Sequence, residues 1–325
     1  MKEIIIDGNS EKQTLLKYLR RLFPGSTDGF FFKMMRKKNI VLNGKKATGK
    51  EILKSGDTVK VFFSDETFEK LSSEGTDETK GVFQALLKAS YPKPEIVYEC
   101  PDFLAVNKAP GLLSQKAEGK DISINEMLLS YAAQKGLITE ESYARFHPSV
   151  SNRLDRNTSG LLFFALTLKG QQFLTEMLKT RSLKKYYLAL VHGRPAETPD
   201  AKAFLRKDEK TNTVTVRDRD FEGAREIHTG IEVLFSSTEF SLLKVHLITG
   251  APHQIRAHLK FLGCPIIFDS KYGDAEKDRK IFFENKRQML HSYETVLPDG
   301  RAFKAPVPAD MAGLCRQFGI DTSSI

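Results

Sequence analysis

Ser151-Asn152-Arg153-Leu154-Asp155-Arg156-Asn157-Thr158-Ser159-Gly160-Leu161 is a short, intensely polar turn set between apolar runs. Thr158-Ser159-Gly160 suits a tight turn, because glycine tolerates positive φ and the hydroxyls can bond the local backbone. Leu161-Leu162-Phe163-Phe164-Ala165-Leu166 follows and reads as a buried strand. Asp155 stands between Arg153 and Arg156. Taken alone it reads as a turn residue paired with an arginine, since structural ion pairs are common.

At 325 residues the chain is long enough for two domains, or for one large domain with an appendage. The apolar fraction is 40% and the formal net charge is +9. That charge calls for a polyanionic partner, nucleic acid before a membrane surface. No run of about eighteen apolar residues is present, which argues against a transmembrane helix. Met1 to Asp7 reads as a short strand and not as a signal peptide. Cys100, Cys264 and Cys315 make neither a metal-ligand spacing nor a disulfide framework, so a reduced cytoplasm is expected. No His-Glu-x-x-His pattern occurs, and no metal is expected.

The basic charge is uneven. Residues 1–65 carry fourteen Lys/Arg against seven Asp/Glu, a net of +7. Thr14–Leu22 and Phe30–Lys38 have helical spacing, the second with Phe31, Met34 and Met35 inward and Lys33, Arg36, Lys37 and Lys38 outward. Ile40-Val41-Leu42 runs into an Asn43-Gly44 hairpin turn followed by Lys45 and Lys46, and Thr58 to Phe63 reads as a further strand. This order resembles the small RNA-binding module shared by a small-subunit ribosomal protein and tyrosyl-tRNA synthetase. Lys33, Arg36, Lys37, Lys38, Lys45 and Lys46 would then meet RNA phosphates, or else form a solvated face. Gly44 to Glu51 fits the glycine and lysine spacing of a phosphate loop. It ends in Glu where Ser or Thr is needed for Mg²⁺, so nucleotide binding is rejected. Residues 66–91 are acidic and polar. They have the composition of a linker, or of a solvated helix. The third part runs from residue 92 to 325.

In that part the Asp155 string resembles the Arg-Leu-Asp-x-x-Thr-Ser-Gly-Leu signature of the RluA family of pseudouridine synthases, and its Asn-Arg-Leu-Asp-Arg-Asn-Thr form is RluC-like. Two more segments are similar to that family: Lys185-Tyr186-Tyr187-Leu188-Ala189-Leu190-Val191-His192-Gly193, and Thr249-Gly250-Ala251-Pro252-His253-Gln254-Ile255-Arg256-Ala257-His258-Leu259. Asn107-Lys108-Ala109-Pro110-Gly111 is close to a fourth family element. The chain departs from the pattern at Asn152, where the family has His, and at Ala251, where it has Arg.

The resemblance implies an α+β fold: a small N-terminal α/β RNA-binding domain, then a catalytic domain built on a mixed, mostly antiparallel sheet with a cleft. It implies isomerisation of uridine to pseudouridine in RNA, with large-subunit rRNA the first-choice substrate and tRNA the second. Asp155 would be the catalytic carboxylate, Arg256 its ion-pair partner and Tyr187 the ring stacked on the target base, while Arg153 would bind RNA. Tyr186, adjacent on a strand, would face the other way. The reaction breaks a glycosidic C–N bond, turns the uracil and forms a C–C bond, which a carboxylate and a base can serve without a cofactor. The target must leave its stack to reach Asp155. His253 and His258 are read as structural. The expected enzyme is a cytoplasmic monomer that needs no metal, cofactor or membrane. The alternative is a non-catalytic rRNA-binding assembly protein that keeps the synthase fold.

Overall fold

The computed structural model describes residues 1–8, 10–73, 76–118, 121–195, 200–322 and 325. The first sixty or so residues form an antiparallel sheet of β1 (Lys2–Ile5), β2 (Ile40–Leu42), β3 (Lys45–Lys46) and β4 (Thr58–Val61), in the order β1-β4-β2-β3. Helices α1 (Leu15–Leu22) and α2 (Asp28–Arg36) pack on it. Threonine caps start both helices, with Thr14 accepting from the Lys17 amide and Thr27 from the Phe30 amide. Leu15, Leu19, Phe31 and Met35 are the inward face of that pair and meet Ile40, Val59 and Val61 from the strands. Asn43 and Gly44 both hold positive φ, at 50° and 73°, as a tight two-residue hairpin turn requires. In the Gly44–Glu51 loop, the Glu51 carboxylate accepts from the Thr48 and Gly49 amides. An internal carboxylate thus takes backbone donors that a phosphate loop would offer to a nucleotide.

The polar stretch after this unit is helical. It forms α3 (Asp65–Ser73) and α4 (Thr76–Lys88), with Glu74 and Gly75 outside the described residues. Two apolar stripes explain this. Phe68 and Leu71 pack on the first core, while Phe83 and Leu86 join the large core that follows.

The large sheet has eleven strands: β5 (Glu95–Glu99), β6 (Phe103–Lys108), β7 (Ser149–Val150), β8 (Ser159–Ala165), β9 (Lys184–His192), β10 (Asp200–Asp208), β11 (Thr213–Arg217), β12 (Arg225–Ser236), β13 (Phe240–Leu247), β14 (Leu290–Val296) and β15 (Ala302–Lys304). Its main path runs β11-β10-β12-β13-β9-β14-β8-β6-β5. Among the described residues six further helices accompany it: α5 (Ile124–Gln134), α6 (Glu140–Arg145), α7 (Leu168–Lys179), α8 (Gln254–Phe261), α9 (Ala275–Arg279) and α10 (Ala309–Gln317). The α+β class expected from the sequence is the one observed.

Strand β8 shows why the sheet is stable in its middle. Leu162 and Phe164 point into one core, and Leu161 and Phe163 into another on the opposite face. Burial of each such side chain contributes roughly 1.5–3 kcal/mol. From Leu161 to Ala165 the strand is therefore apolar at every position, which matches its unbroken hydrophobic run.

Among the described strands, β8 and β14 form the one parallel pair, His291 facing Ser159 and Ser292 facing Gly160. Gly160 holds φ = 109°, and a Cβ there would sit 2.2 Å from the Ser292 carbonyl oxygen. No other residue fits so close an approach. On the other side of β14, Ser292 pairs with Tyr187 of β9, and a register irregularity follows between Ser292 and Glu294. Bulges of this kind re-aim side chains beside functional clefts. The parallel junction thus places the Asp155 turn, Tyr187 and Ser292 side by side.

Candidate active site

The turn before β8 has almost no freedom, because buried side chains hold its backbone one group after another. The Ser114 hydroxyl accepts from the Leu154 amide and donates to the Leu154 carbonyl, both at 2.9 Å. The fully buried Lys108 directs its ammonium at the carbonyls of Ala109, Leu112 and Arg156, at 2.9, 2.8 and 3.0 Å. Arg287, itself paired with Asp310, donates to the Asn157 carbonyl at 3.2 Å. Gln288 donates to the Thr158 hydroxyl at 2.6 Å. Asn152 accepts from the Phe163 amide at 2.8 Å, so the residue standing in place of the family's histidine anchors the turn to β8. Burial pushes the Lys108 pKa down to about 7, with Arg287 adding to the effect and Asp155 opposing it.

Asp155 sits at the centre of this turn with 31% of its side chain exposed. Its Oδ2 accepts from Arg256 Nη1 at 2.7 Å. Arg256, on the first turn of α8, is also held bidentately by Asp269, at 2.6 and 2.8 Å. The two carboxylates on this guanidinium differ in one respect that decides their use. Asp269 has 0% side-chain exposure, and it also accepts from the Lys271 and Tyr272 amides at 3.0 Å each. Asp155 faces the cleft. Burial opposes the Arg256 charge, but its bonds to Asp269 and Asp155 outweigh that and raise its pKa. Burial likewise works against Asp269 as an anion, and Arg256 reverses it.

The cleft contains about 400 Å³ of empty space that opens to solvent. Asp155, Arg153, Tyr187, His253 and Arg256 line it, with Leu290 on its apolar side. The Tyr187 ring forms part of the wall, and burial pushes its hydroxyl up to about 12. Tyr186 lies on the other face of β9, stacked on His246 at 4.8 Å. The strand alternation read from the sequence is the one found. His253 Nε2 lies 3.9 Å from Asp155 Oδ1, the oxygen that Arg256 leaves free.

Of the residues singled out in the sequence, Asp155, Arg153, Tyr187 and Arg256 are brought together here. Lys33, Arg36, Lys37, Lys38, Lys45 and Lys46 are exposed on α2, the turn after it and β3, and none of them lines the cleft. His258 is buried, bonded through Nδ1 to the Thr229 hydroxyl at 3.0 Å, and turned away from the cleft. Asp269, Tyr272, Arg287 and Gln288 carry no motif of their own. Their one sequence signal is position, in polar stretches beyond α8, and what they bond becomes visible only once the chain is folded.

A family profile described as RNA pseudouridylate synthase matches residues 102–261, which span the Asp155 turn, Tyr187 and Arg256. The ribosomal large subunit pseudouridine synthase C of Rickettsia conorii is 31% identical over 91% of this chain and 93% of its own length. The protein of the same name from Escherichia coli is 28% identical over 86% of this chain and 82% of its own. Among solved structures, human RNA pseudouridylate synthase domain containing 4 superposes with a TM-score of 0.56 at 20% identity, over 75% of this chain and 97% of that one, a likeness of fold. A chain so alike over nine-tenths of its length, with the profile spanning a cleft built in this way, belongs to the RNA pseudouridylate synthase family.

Proposed function

We propose that this enzyme converts uridines of large-subunit ribosomal RNA to pseudouridine, with Asp155 as the catalytic carboxylate. One observation carries the reading: Asp155 is bound to Arg256 through one oxygen only, while the other faces an open cleft walled by Tyr187. Arg256 holds Asp155 aimed through its Oδ2. An ionised carboxylate there can attack the sugar or stabilise cationic character on it as the C–N bond breaks. The apolar face of Tyr187 receives the uracil while it turns, and Arg153, exposed at the rim, meets the RNA. The target uridine enters by leaving its stack.

The choice of ribosomal RNA rests on the names of relatives similar over most of their length. The basic first unit is consistent with it. We divide the chain into an RNA-binding unit at residues 1–65, a connection at 66–91 and a catalytic unit at 92–325, acting as a cytoplasmic monomer. No helix among the described residues is long and apolar enough to cross a membrane. Tritium release from RNA labelled at uracil carbon 5 tests the reaction, with large-subunit rRNA and tRNA transcripts compared. Release from rRNA that disappears in Asp155→Asn is expected. Release from tRNA alone would transfer the substrate, and unchanged release from Asp155→Asn would remove Asp155 from its role.

A further inference from the structure

His253 holds the left-handed backbone conformation, φ = 52° and ψ = 19°, at the N-cap of α8. Few non-glycine residues adopt it, and this one gives no side-chain cap to the helix. Its ring is placed between two partners. Nδ1 lies 2.9 Å from the Tyr272 hydroxyl, and Nε2 faces Asp155 Oδ1 across 3.9 Å. The Tyr272 hydroxyl is also the acceptor for the Val214 amide of β11, at 2.9 Å.

Donor counting decides the tautomer. A tyrosine hydroxyl has one proton to give. With the Val214 amide donating into its oxygen, that proton has one acceptor among the described residues, Nδ1 of His253. Nδ1 is then unprotonated, and the neutral ring carries its proton on Nε2, toward Asp155. The opposite arrangement would leave the hydroxyl proton of a buried tyrosine with no partner among the described residues, which costs free energy. Burial lowers the His253 pKa, Asp155 opposing, which favours the neutral ring.

We propose that Tyr272 and His253 are positioning residues for Asp155. Tyr272 sets the His253 ring as the Nε2–H tautomer, and that N–H is the donor for the carboxylate oxygen that Arg256 leaves free. The gap of 3.9 Å is beyond a direct bond. It leaves room for the reacting group to arrive while the N–H still orients the oxygen, directly after a small closure or through one water. The 269–272 turn unifies this arrangement. Asp269 fixes Arg256 on one oxygen of Asp155, and Tyr272, three residues on, fixes His253 on the other. Lys271, between them, donates to the Asn212 carbonyl at 2.9 Å. Tyr272 also packs with Val214, Leu205 and Ala257 in a small core under the β10–β11 hairpin. The hairpin and the carboxylate are thus tied through one turn.

The proposal rests on Asp155 being the catalytic carboxylate, so Asp155→Asn is measured in parallel. His253→Leu removes the donor, while His253→Gln keeps an N–H near the Nε2 position. Tyr272→Phe removes the hydroxyl and keeps the ring. In single-turnover tritium release, His253→Leu is expected to slow the reaction about 10- to 100-fold, the worth of a hydrogen bond to a charged group, with RNA affinity unchanged. His253→Gln is expected to recover most of that rate. Long-range ¹⁵N–¹H spectra of the imidazoles are expected to show His253 as Nε2–H in the full-length protein and as a mixture in Tyr272→Phe. This readout needs no turnover, and with the Tyr272→Phe rate it decides the matter if His253→Leu does not fold. An Nδ1–H ring in the unaltered protein overturns the proposal. So does a His253→Leu enzyme as fast as the unaltered one beside an inactive Asp155→Asn, or equal losses in the Leu and Gln variants. Turnover surviving in Asp155→Asn fells the reading of Asp155 itself.

Discussion

The turn at 151–158 and the cationic face of α2 both carry charges on polar backbone, yet they are built in opposite ways. In the turn, the carbonyls of Leu154, Arg156 and Asn157 are each bonded by a side chain from another element, and the central carboxylate is tied to a buried arginine. On α2 and just beyond it, Lys33, Arg36, Lys37 and Lys38 stand exposed at consecutive turns of the surface. The contrast fits the roles proposed for the two. A reacting carboxylate must be held in one geometry, because misplacement by about 1 Å costs rate steeply. Phosphate attraction needs only reachable charge, and long side chains free to adjust supply it.

The largest expected break in this contrast is at its centre. Asp155→Asn keeps the shape of the turn and removes the charge, so tritium release should fall to background while RNA still binds in a filter assay. Arg256→Ala should come next, with a double effect. It strips Asp155 of its partner and leaves Asp269, with no exposure at all, as an unpaired buried charge. Removing one side of such a pair costs about 3–5 kcal/mol, so the urea midpoint should drop along with activity. A variant without turnover but with an unchanged midpoint would show that Asp269 finds other partners.

Tyr187→Phe should cost less than either, because stacking survives and the hydroxyl alone is removed. Tyr186→Phe, on the outer face of β9, should turn over nearly as the unaltered enzyme does. The reverse ranking in single-turnover assays would mean that the cleft is walled by the other face of the strand.

A subtler test concerns Lys108. Its pKa falls from 10.5 to about 7 on folding. Below about 7 the folded and unfolded chains both hold the proton, and the cost of burying the charge is present in full. Between about 7 and 10.5 only the unfolded chain holds it, so this group makes the fold more stable as pH rises. Its contribution is up to about 1.4 kcal/mol per pH unit in that window. Lys108→Met should abolish that contribution, so unfolding curves at pH 7 and 9 should differ less for the variant. An identical slope in both proteins would refute the shift. The smallest effect is expected on α2. Reversing Lys33, Arg36, Lys37 and Lys38 to Glu should weaken rRNA binding and flatten its salt dependence, by roughly 0.7–0.9 in slope for each phosphate no longer neutralised. The rate at saturating RNA should hold. An unchanged slope would make the face mere solvated surface.

How much of this is legible in the sequence depends on whether the signal is local. The β8 run, the Asn43-Gly44 hairpin and the amphipathic spacing of α1 and α2 are set by neighbours in sequence, and each is found, with α2 lying two residues earlier than expected so that Lys37 and Lys38 fall beyond it. The polar stretch after residue 65 is ambiguous between linker and helix because its composition is a loop's. Its apolar residues are few, and Phe83 and Leu86 count as a stripe only because a large core lies beside them.

The sequence by itself carried the family pattern, the polar turn around Asp155 and the placing of Tyr186 and Tyr187 on opposite faces of one strand, since motif order and strand period are properties of the chain. Only the tertiary structure decided which carboxylate seals Arg256, which groups cage the turn, and where His253 points. Asp155 and Arg256 are 101 residues apart, and Asn157 and Arg287 are 130 apart. Such partners are chosen by which strands lie side by side. The parallel contact of β8 with β14, permitted by a glycine at 160, sets Asn157 beside Arg287.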